Sequence, residues 1–171
     1  MEINGSGLAP SGFSIDEIER FKSELEENGI ESEYYRLDGT LEDKTNVEPA
    51  GLLIIRNGIE QIIHQNPTDM LSEQLSFEWD KKYWDNRRSR VLNKRARYNV
   101  CYGEVEQTPN YQNKKGTIIP YEKTPILDSW RKSLGLLFGD KADQLEVEGN
   151  LYYDVKKCGI GFHGDSERKK V

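Results

Sequence analysis

Two side chains near the end of the chain, His163 and Asp165, have the spacing of a metal-binding pair. They lie in the stretch GIGFHGD, whose alternating residue types are typical of a β-strand. Because side chains two apart on a strand face the same side, such a strand presents an imidazole and a carboxylate to one ion. The residues therefore predict two ligands of a metal site. A strand in which the two side chains only bond each other or solvent is the alternative interpretation.

A second pair of polar residues, Asn150 and Tyr152, lies in the preceding segment VEGNLYYDV. This segment also has the pattern of a strand, and the tripeptide KKC separates it from the strand GIGFHGD. If the chain folds back at KKC, strand alternation brings both pairs to one pocket. The predicted site then joins a hydrogen-bonding pair to a metal-binding pair. A non-haem Fe(II) oxygenase site requires two histidines and one carboxylate on one face of the ion.

The order N-x-Y and then G-x-H-x-D resembles the AlkB-like family of Fe(II)- and 2-oxoglutarate-dependent dioxygenases. The upstream stretches NKRARYNVCYGE and TPILDSW also look like this family, so the resemblance covers roughly residues 90–171. It implies that His163 and Asp165 bind Fe(II) at the catalytic centre, and that Asn150 and Tyr152 hydrogen-bond the cosubstrate 2-oxoglutarate. It also implies a double-stranded β-helix, a jelly-roll-like fold with flanking helices.

The chain departs from the family pattern after Asp165. Family members supply a second metal-binding His and an Arg for the far carboxylate some tens of residues later, whereas here Val171 follows after six positions. His64 lies upstream, out of family order, and is expected to be structural. We therefore expect an N-terminal portion of an oxygenase that is inactive by itself. A short protein with a remnant core that only binds is the alternative.

The charges of the chain are segregated. Residues 80–98, DKKYWDNRRSRVLNKRARY, contain eight Lys or Arg and two Asp, so this segment carries +6 although the whole chain carries −6. Cations interleaved with aromatic rings suit a phosphate backbone and stacked bases. The segment lies where AlkB-like proteins usually carry a substrate-recognition lid. The candidate nucleic-acid-binding residues are Tyr83, Trp84, Arg87, Arg88, Arg90, Lys94, Arg95 and Arg97. A charged surface helix with its aromatic residues packed inward is the alternative.

Composition predicts an intracellular globular protein. Hydrophobic residues make up 35% and charged residues 32%, and no apolar run reaches the roughly 20 residues of a membrane span. The N-terminus lacks the pattern of a secretory signal. Two cysteines in such a chain are expected to be reduced thiols, so we expect a reducing compartment, cytoplasmic or nuclear. We expect no membrane partner, and the sequence leaves the oligomeric state open.

The flanking elements predict an α+β fold. Ser14 and Glu17 have the spacing of a capping box before a helix that ends at Gly29, and Thr124-Pro125 begins a helix that ends at Gly139. Between them we predict a strand at 34–37, two strands joined by a tight turn at Asn57-Gly58, a helix from Pro67 and a strand at 97–102. Trp79 and Trp130 are expected in the core. We divide the chain into an N-terminal α/β segment, 1–78, and the basic segment with the first part of the core, 79–171.

The resemblance predicts an enzyme that demethylates or hydroxylates modified nucleic acid, either DNA or RNA. Hydroxylated N-methyl groups are released as formaldehyde in this chemistry. Oxidation of a protein side chain is the alternative within enzymes. A non-catalytic module that binds nucleic acid or protein is the alternative outside them.

Overall fold

The computed structural model describes residues 13–38, 49–143 and 145–159, and it has a mixed α and β fold. The helices are α1 (Ile15–Glu27), α2 (Gly58–Ile63), α3 (Pro67–Leu75), α4 (Pro125–Phe138) and α5 (Asp140–Asp143). The strands are β1 (Ser32–Arg36), β2 (Gly51–Ile55), β3 (Lys82–Asp85), β4 (Arg90–Asn93), β5 (Tyr98–Gly103), β6 (Ile118–Pro120) and β7 (Glu148–Leu151). The predicted α+β class is confirmed. No helix among the described residues is both long and apolar enough to cross a bilayer.

Strand β5 is the centre of the fold. It pairs in parallel with β6 and antiparallel with β7, while β1–β2 and β3–β4 form separate antiparallel pairs. One face of β5 presents Val100 and Tyr102 to the main core. The other core residues are Ile119, Tyr121 and Leu127, with Phe77, Trp79 and Val147 packed around them. The predicted core position of Trp79 is confirmed, and Trp130 is half-buried against Gly58.

Helix α1 forms as its local signals predict. Ser14 Oγ accepts a hydrogen bond from the Glu17 amide at 3.2 Å, and the Ser14 amide donates to Glu17 Oε2 at 2.7 Å. This capping box satisfies two of the backbone donors that a helix N-terminus leaves free. The apolar side of α1 packs on α4, with the Phe21 and Phe138 ring centroids 5.0 Å apart.

The predicted hairpin at Asn57-Gly58 is wrong. Strand β2 pairs with β1, and Asn57, with φ 49°, begins helix α2 instead of a second strand. Ile59, Ile62 and Ile63 recur at helical spacing, so α2 can turn one side to the protein. His64 is therefore the exposed residue that ends α2, with φ 52°, and it does not lie on a strand.

Helix α4 has the predicted bounds but a different cap. The Thr124 side chain caps no helix amide; its hydroxyl donates to the Tyr121 carbonyl. Glu73 of α3 accepts hydrogen bonds from the Ile126 and Leu127 amides at 2.9 and 3.1 Å. Five apolar residues at helical spacing along α4 are only half-buried: Ile126, Trp130, Leu134, Leu137 and Phe138. Leu127 is the apolar residue of α4 that reaches the core. Elements on both sides of the proposed 78/79 boundary thus contact each other.

The basic segment is a β-hairpin, so the alternative of a surface helix is wrong. Strands β3 and β4 pair Lys82 with Asn93 and Asp85 with Arg90. The amide of Asp80 donates to the Asn99 carbonyl at 3.1 Å, which joins the start of the hairpin to β5. The stretch that follows β5 contains β6 and two short 3-10 helices, Tyr111–Asn113 and Tyr121–Lys123.

Candidate functional site

The face of β5 and β7 opposite the core is lined by polar side chains. Asn150 lies directly across from Asn99, and Glu148 lies across from Cys101. Residues directly opposite in an antiparallel pair face the same side, and here that side is away from Val100. Asn99 Nδ2 donates to Glu148 Oε1 at 2.8 Å. One of the two residues predicted to bind the cosubstrate, Asn150, therefore belongs to a polar sheet face.

Arg97 connects the basic segment to Asn150. Its Nε donates a hydrogen bond to Asn150 Oδ1 at 2.6 Å. Because a guanidinium only donates, this bond fixes which end of the Asn150 amide carries the oxygen. The Asn150 Nδ2 group and the terminal nitrogens of Arg97 have no hydrogen-bond partner among the described residues. These free donors form a cationic site on the sheet face that suits a carboxylate or a phosphate.

Tyr153, which follows the N-x-Y pair, holds the same part of the basic segment. Its ring stacks on Tyr98, with centroids 4.1 Å apart and planes at 12°. Its hydroxyl donates to the Arg95 carbonyl at 3.2 Å. The segment after β7 and the end of the basic segment are thus fixed to each other by two independent contacts.

The other predicted site residues have different outcomes. Strand β7 ends at Leu151, so Tyr152 lies just beyond it and is 40% exposed. The strand is shorter than predicted because Asp154 begins a turn, accepting from the amides of Lys156, Lys157 and Cys158. This turn is where the sequence predicts the chain to fold back. His163 and Asp165 lie outside the described residues, and within those residues no three His, Cys, Asp or Glu side chains form a group that could hold a metal.

The basic segment forms the wall of a concave surface, here called the basic cavity, with a volume of about 940 Å³. It is lined by Tyr83, Arg88, Arg90, Lys94, Arg95 and Arg97, among others. Six of the eight predicted nucleic-acid-binding residues are thus brought together. Arg87 is exposed in the hairpin turn, and Trp84 is half-buried and faces a neighbouring cavity.

Most cations of the basic segment are not paired with an acidic side chain in the part of the chain that the structure describes. Of the eight Lys and Arg at positions 81–97, only Arg88 forms an ion pair within the described residues. Of the twelve described Lys and Arg elsewhere, nine form ion pairs. Uncompensated charge on a concave surface attracts polyanions even when the net charge of the protein is negative.

A comparison with the sequences of known proteins finds a similar viral protein. This chain is 40% identical over 167 residues to "Uncharacterized protein R156" of Acanthamoeba polyphaga mimivirus. The alignment covers 96% of this chain and 63% of the relative, so the chain spans less than two thirds of the relative's length. No protein-family model and no solved structure matches the chain.

Lys94 lies between the basic cavity and the sheet. Its Nζ donates to Asn99 Oδ1, and burial lowers the pKa of the ammonium, while the carboxylates of Asp80 and Glu148 act in the opposite direction. Burial, with smaller contributions from Glu148 and Asp80, raises the pKa of the neighbouring Cys101 thiol. The partly desolvated ammonium of Lys94 is therefore suited to an anionic group that enters the cavity.

Sequence reasoning missed several residues of this surface. Asn99 and Glu148 gave no motif, and their roles follow only from the pairing of β5 with β7. Lys114 and Lys115 were overlooked because they lie outside the basic segment. The signal that could have found them is the NKKG turn sequence, which places two cations at an exposed loop.

Proposed function

We propose that this chain is part of an AlkB-like Fe(II)/2-oxoglutarate dioxygenase whose substrate is modified nucleic acid. The observation that carries the proposal is the hydrogen bond from Arg97 to Asn150. It links the surface expected to bind substrate to a residue expected to bind the cosubstrate. An oxygenase requires this proximity because the group to be oxidised must lie beside the metal and the cosubstrate.

The described residues fit the carboxylate of 2-oxoglutarate. Asn150 Nδ2 is held as a donor, and the Arg97 guanidinium beside it supplies positive charge. Tyr152 is exposed one residue beyond β7 and has a hydroxyl to contribute. Fe(II) with 2-oxoglutarate and O₂ supplies the oxidising chemistry when bound, and His163 and Asp165 would hold the metal. The protein residues then bind and orient the cosubstrate and the nucleic acid.

The finer fold assignment belongs to the same proposal. In it, the antiparallel pair β5–β7 is the first part of a double-stranded β-helix, α4 is a flanking helix, and β6, which runs parallel to β5, lies outside that antiparallel core. The antiparallel pairing of β5 with β7 and the burial of only one face of β5 support this assignment, because the other face remains available for a site.

The nucleic-acid substrate is supported by the basic cavity. Arg90 and Arg95 supply donors for phosphates, and the Tyr83 ring is 40% exposed beside them. A protein side chain as substrate would not require several unpaired cations along one wall. Among the alternatives, the cavity therefore favours nucleic acid.

The metal and cosubstrate site is tested by electron paramagnetic resonance of bound Mn(II), used as a redox-stable substitute for Fe(II). We expect the native chain to bind Mn(II) weakly and more tightly when 2-oxoglutarate is added. His163→Ala and Asp165→Ala should weaken the binding, and Asn150→Ala should remove the gain from 2-oxoglutarate. The matched control is His64→Ala, which removes the other histidine. Equal Mn(II) affinity in all these variants would reject the oxygenase and favour a non-catalytic binding module.

A further inference from the structure

A second cavity lies on the other side of the β3–β4 hairpin, between the hairpin and the loop at 110–117. Its volume is about 320 Å³, which is within the range of about 300–1,000 Å³ typical of ligand sites. We call it the hairpin–loop cavity. Its walls include Lys82, Trp84, Tyr111, Lys114 and Lys115. None of these five residues faces the basic cavity.

The hairpin–loop cavity has an excess of positive charge, since Lys82, Lys94, Lys114 and Lys115 line it together with the carboxylate of Asp80. Lys82, Lys114 and Lys115 form no ion pair within the described residues, although most cations outside the basic segment do. Lys114 has φ 58°, so it ends the 3-10 helix Tyr111–Asn113 in the left-handed region, and both loop lysines are exposed. Three ammonium groups around one concave surface favour an anionic ligand.

A buried carboxylate fixes the shape of this cavity. Asp80, only 4% exposed, accepts hydrogen bonds from the Tyr111 hydroxyl at 2.8 Å, the Thr117 amide at 2.8 Å and the Thr117 hydroxyl at 2.7 Å. Gly116 allows the loop to approach, since a Cβ there would lie 2.8 Å from Asp80 Oδ2. The loop that carries the lysines is thereby held against the base of the hairpin, so little ordering is needed when a ligand binds.

The cavity also offers aromatic surface. Trp84 and Tyr111 are half-buried and contribute to its walls. Aromatic rings beside cations are the combination that binds single-stranded nucleic acid, because bases stack on rings while phosphates contact ammonium groups.

The two cavities adjoin each other. Tyr83, Lys94 and Asn99 line both of them, so one polyanion can contact both cavities. We propose that the hairpin–loop cavity binds a second nucleotide of the same single strand, with its base on Trp84 and Tyr111 and its phosphate at Lys114 and Lys115. This inference rests on the proposed function, and it defines the substrate class as a single strand that engages the hairpin on both sides.

The test is the affinity of the chain for a labelled single-stranded oligonucleotide, measured by fluorescence anisotropy at increasing salt. The oligonucleotide is about twelve nucleotides long, which is within the length range of single-strand binding sites. The double variant Lys114→Ser, Lys115→Ser should bind severalfold more weakly. Its salt slope should decrease by about 0.7 for each lost phosphate contact. The matched control is Lys123→Ser, Lys132→Ser, which removes the same charge from residues paired with Glu106 and Asp128. An affinity and slope equal to those of this control would overturn the inference.

A second variant tests the base. Trp84→Leu should weaken binding roughly tenfold, the effect expected for one stacked base, with an unchanged salt slope. It should also remove a quenching of tryptophan fluorescence that the oligonucleotide causes in the native chain. Quenching that persists in Trp84→Leu would contradict the stacked base. The triple variant Arg87→Ser, Arg88→Ser, Arg90→Ser separates the two proposals. If it weakens binding while the Lys114/Lys115 double variant and Trp84→Leu do not, only the inference about the hairpin–loop cavity fails. If the native chain binds no oligonucleotide, the nucleic-acid substrate fails with it.

Discussion

Arg97 and Asn150, 53 positions apart in the sequence, are joined by a hydrogen bond of 2.6 Å from the guanidinium Nε to the amide Oδ1. One residue belongs to the basic segment, and the other belongs to the N-x-Y pair. The bond orients the amide and places a cation beside it. Arg97 is therefore a positioning residue for whatever anion Asn150 binds.

Replacing Arg97 should weaken cosubstrate binding. We expect Arg97→Ala to reduce the gain in Mn(II) affinity on addition of 2-oxoglutarate about tenfold, since a hydrogen bond to a charged group contributes about 1.5–3 kcal/mol and tenfold corresponds to about 1.4 kcal/mol. Arg95→Ala is the matched control, because Arg95 is exposed and its side chain has no bond within the described residues. Equal losses in both variants would show that only the total charge matters.

Gly149 should tolerate no side chain. A Cβ at this position would lie 2.9 Å from Trp79 Cη2 and 3.0 Å from the Tyr102 hydroxyl. We expect Gly149→Ala to lower the free energy of unfolding by about 1–3 kcal/mol, the usual cost of overpacking a core. Gly159→Ala is the control, because no atom of the described residues lies within 4 Å of its Cβ position. Urea denaturation measures both, and similar stabilities would refute the described packing of β7 on Trp79.

The buried carboxylate of Asp80 should be needed for the fold. In Asp80→Asn one carboxylate oxygen is replaced by an NH₂ group, which only donates. The side chain then cannot accept both the two hydroxyl bonds at Oδ1 and the Thr117 amide bond at Oδ2. We expect a loss of about 1–3 kcal/mol, the cost of leaving a buried donor unpaired. Glu106→Gln, at an exposed ion pair with Lys123, should cost less than about 1 kcal/mol. A smaller loss for Asp80→Asn than for Glu106→Gln in urea denaturation would contradict this role.

The cap of α1 should make stability depend on acid pH. Hydrogen bonds from Lys141 and Ser14 lower the pKa of Glu17 from 4.5 to about 2. Because the folded pKa is lowered, this stabilisation is complete above pH 4.5 and is lost as the pH falls towards 2. Glu17→Gln should therefore lower Tm near neutral pH and have little effect near pH 2. Glu27→Gln is the control, because Glu27 lies on the same helix and forms no ion pair within the described residues. A Glu17→Gln effect that is constant with pH would refute the linkage.

Local signals predicted helices α1 and α4 well, whereas the segment of α2 was predicted to be a strand. The capping box at Ser14 and the Pro125 and Gly139 boundaries depend on residues within one turn, so the bounds of α1 and α4 follow from the sequence. The failures are non-local. Asn57-Gly58 has the composition of a hairpin turn, but β2 pairs with the preceding strand β1. Helix α4 is capped by Glu73 of α3 and not by the adjacent Thr124.

The candidate site was predictable only in part. The basic residues were recognised from their density, yet their hairpin has no clear alternation of apolar and polar residues to reveal it. The contact of Arg97 with Asn150 depends on the register of β5 against β7, which no motif encodes. The prediction that His163 and Asp165 join Asn150 and Tyr152 stays a prediction.

The most direct test of the account is the salt-dependent affinity for single-stranded oligonucleotides of three proteins. The first is the native chain. The second, the hairpin variant, carries Arg87→Ser, Arg88→Ser and Arg90→Ser together. The third is a control with the same charge change, which carries Arg20→Ser, Arg56→Ser and Lys132→Ser together. The control residues are exposed, and each is paired with an acid away from the basic cavity. We predict that the hairpin variant loses about tenfold or more in affinity and has a shallower salt slope, while the control binds like the native chain. Equal affinities of the hairpin variant and the control would contradict a nucleic-acid interface at the basic cavity.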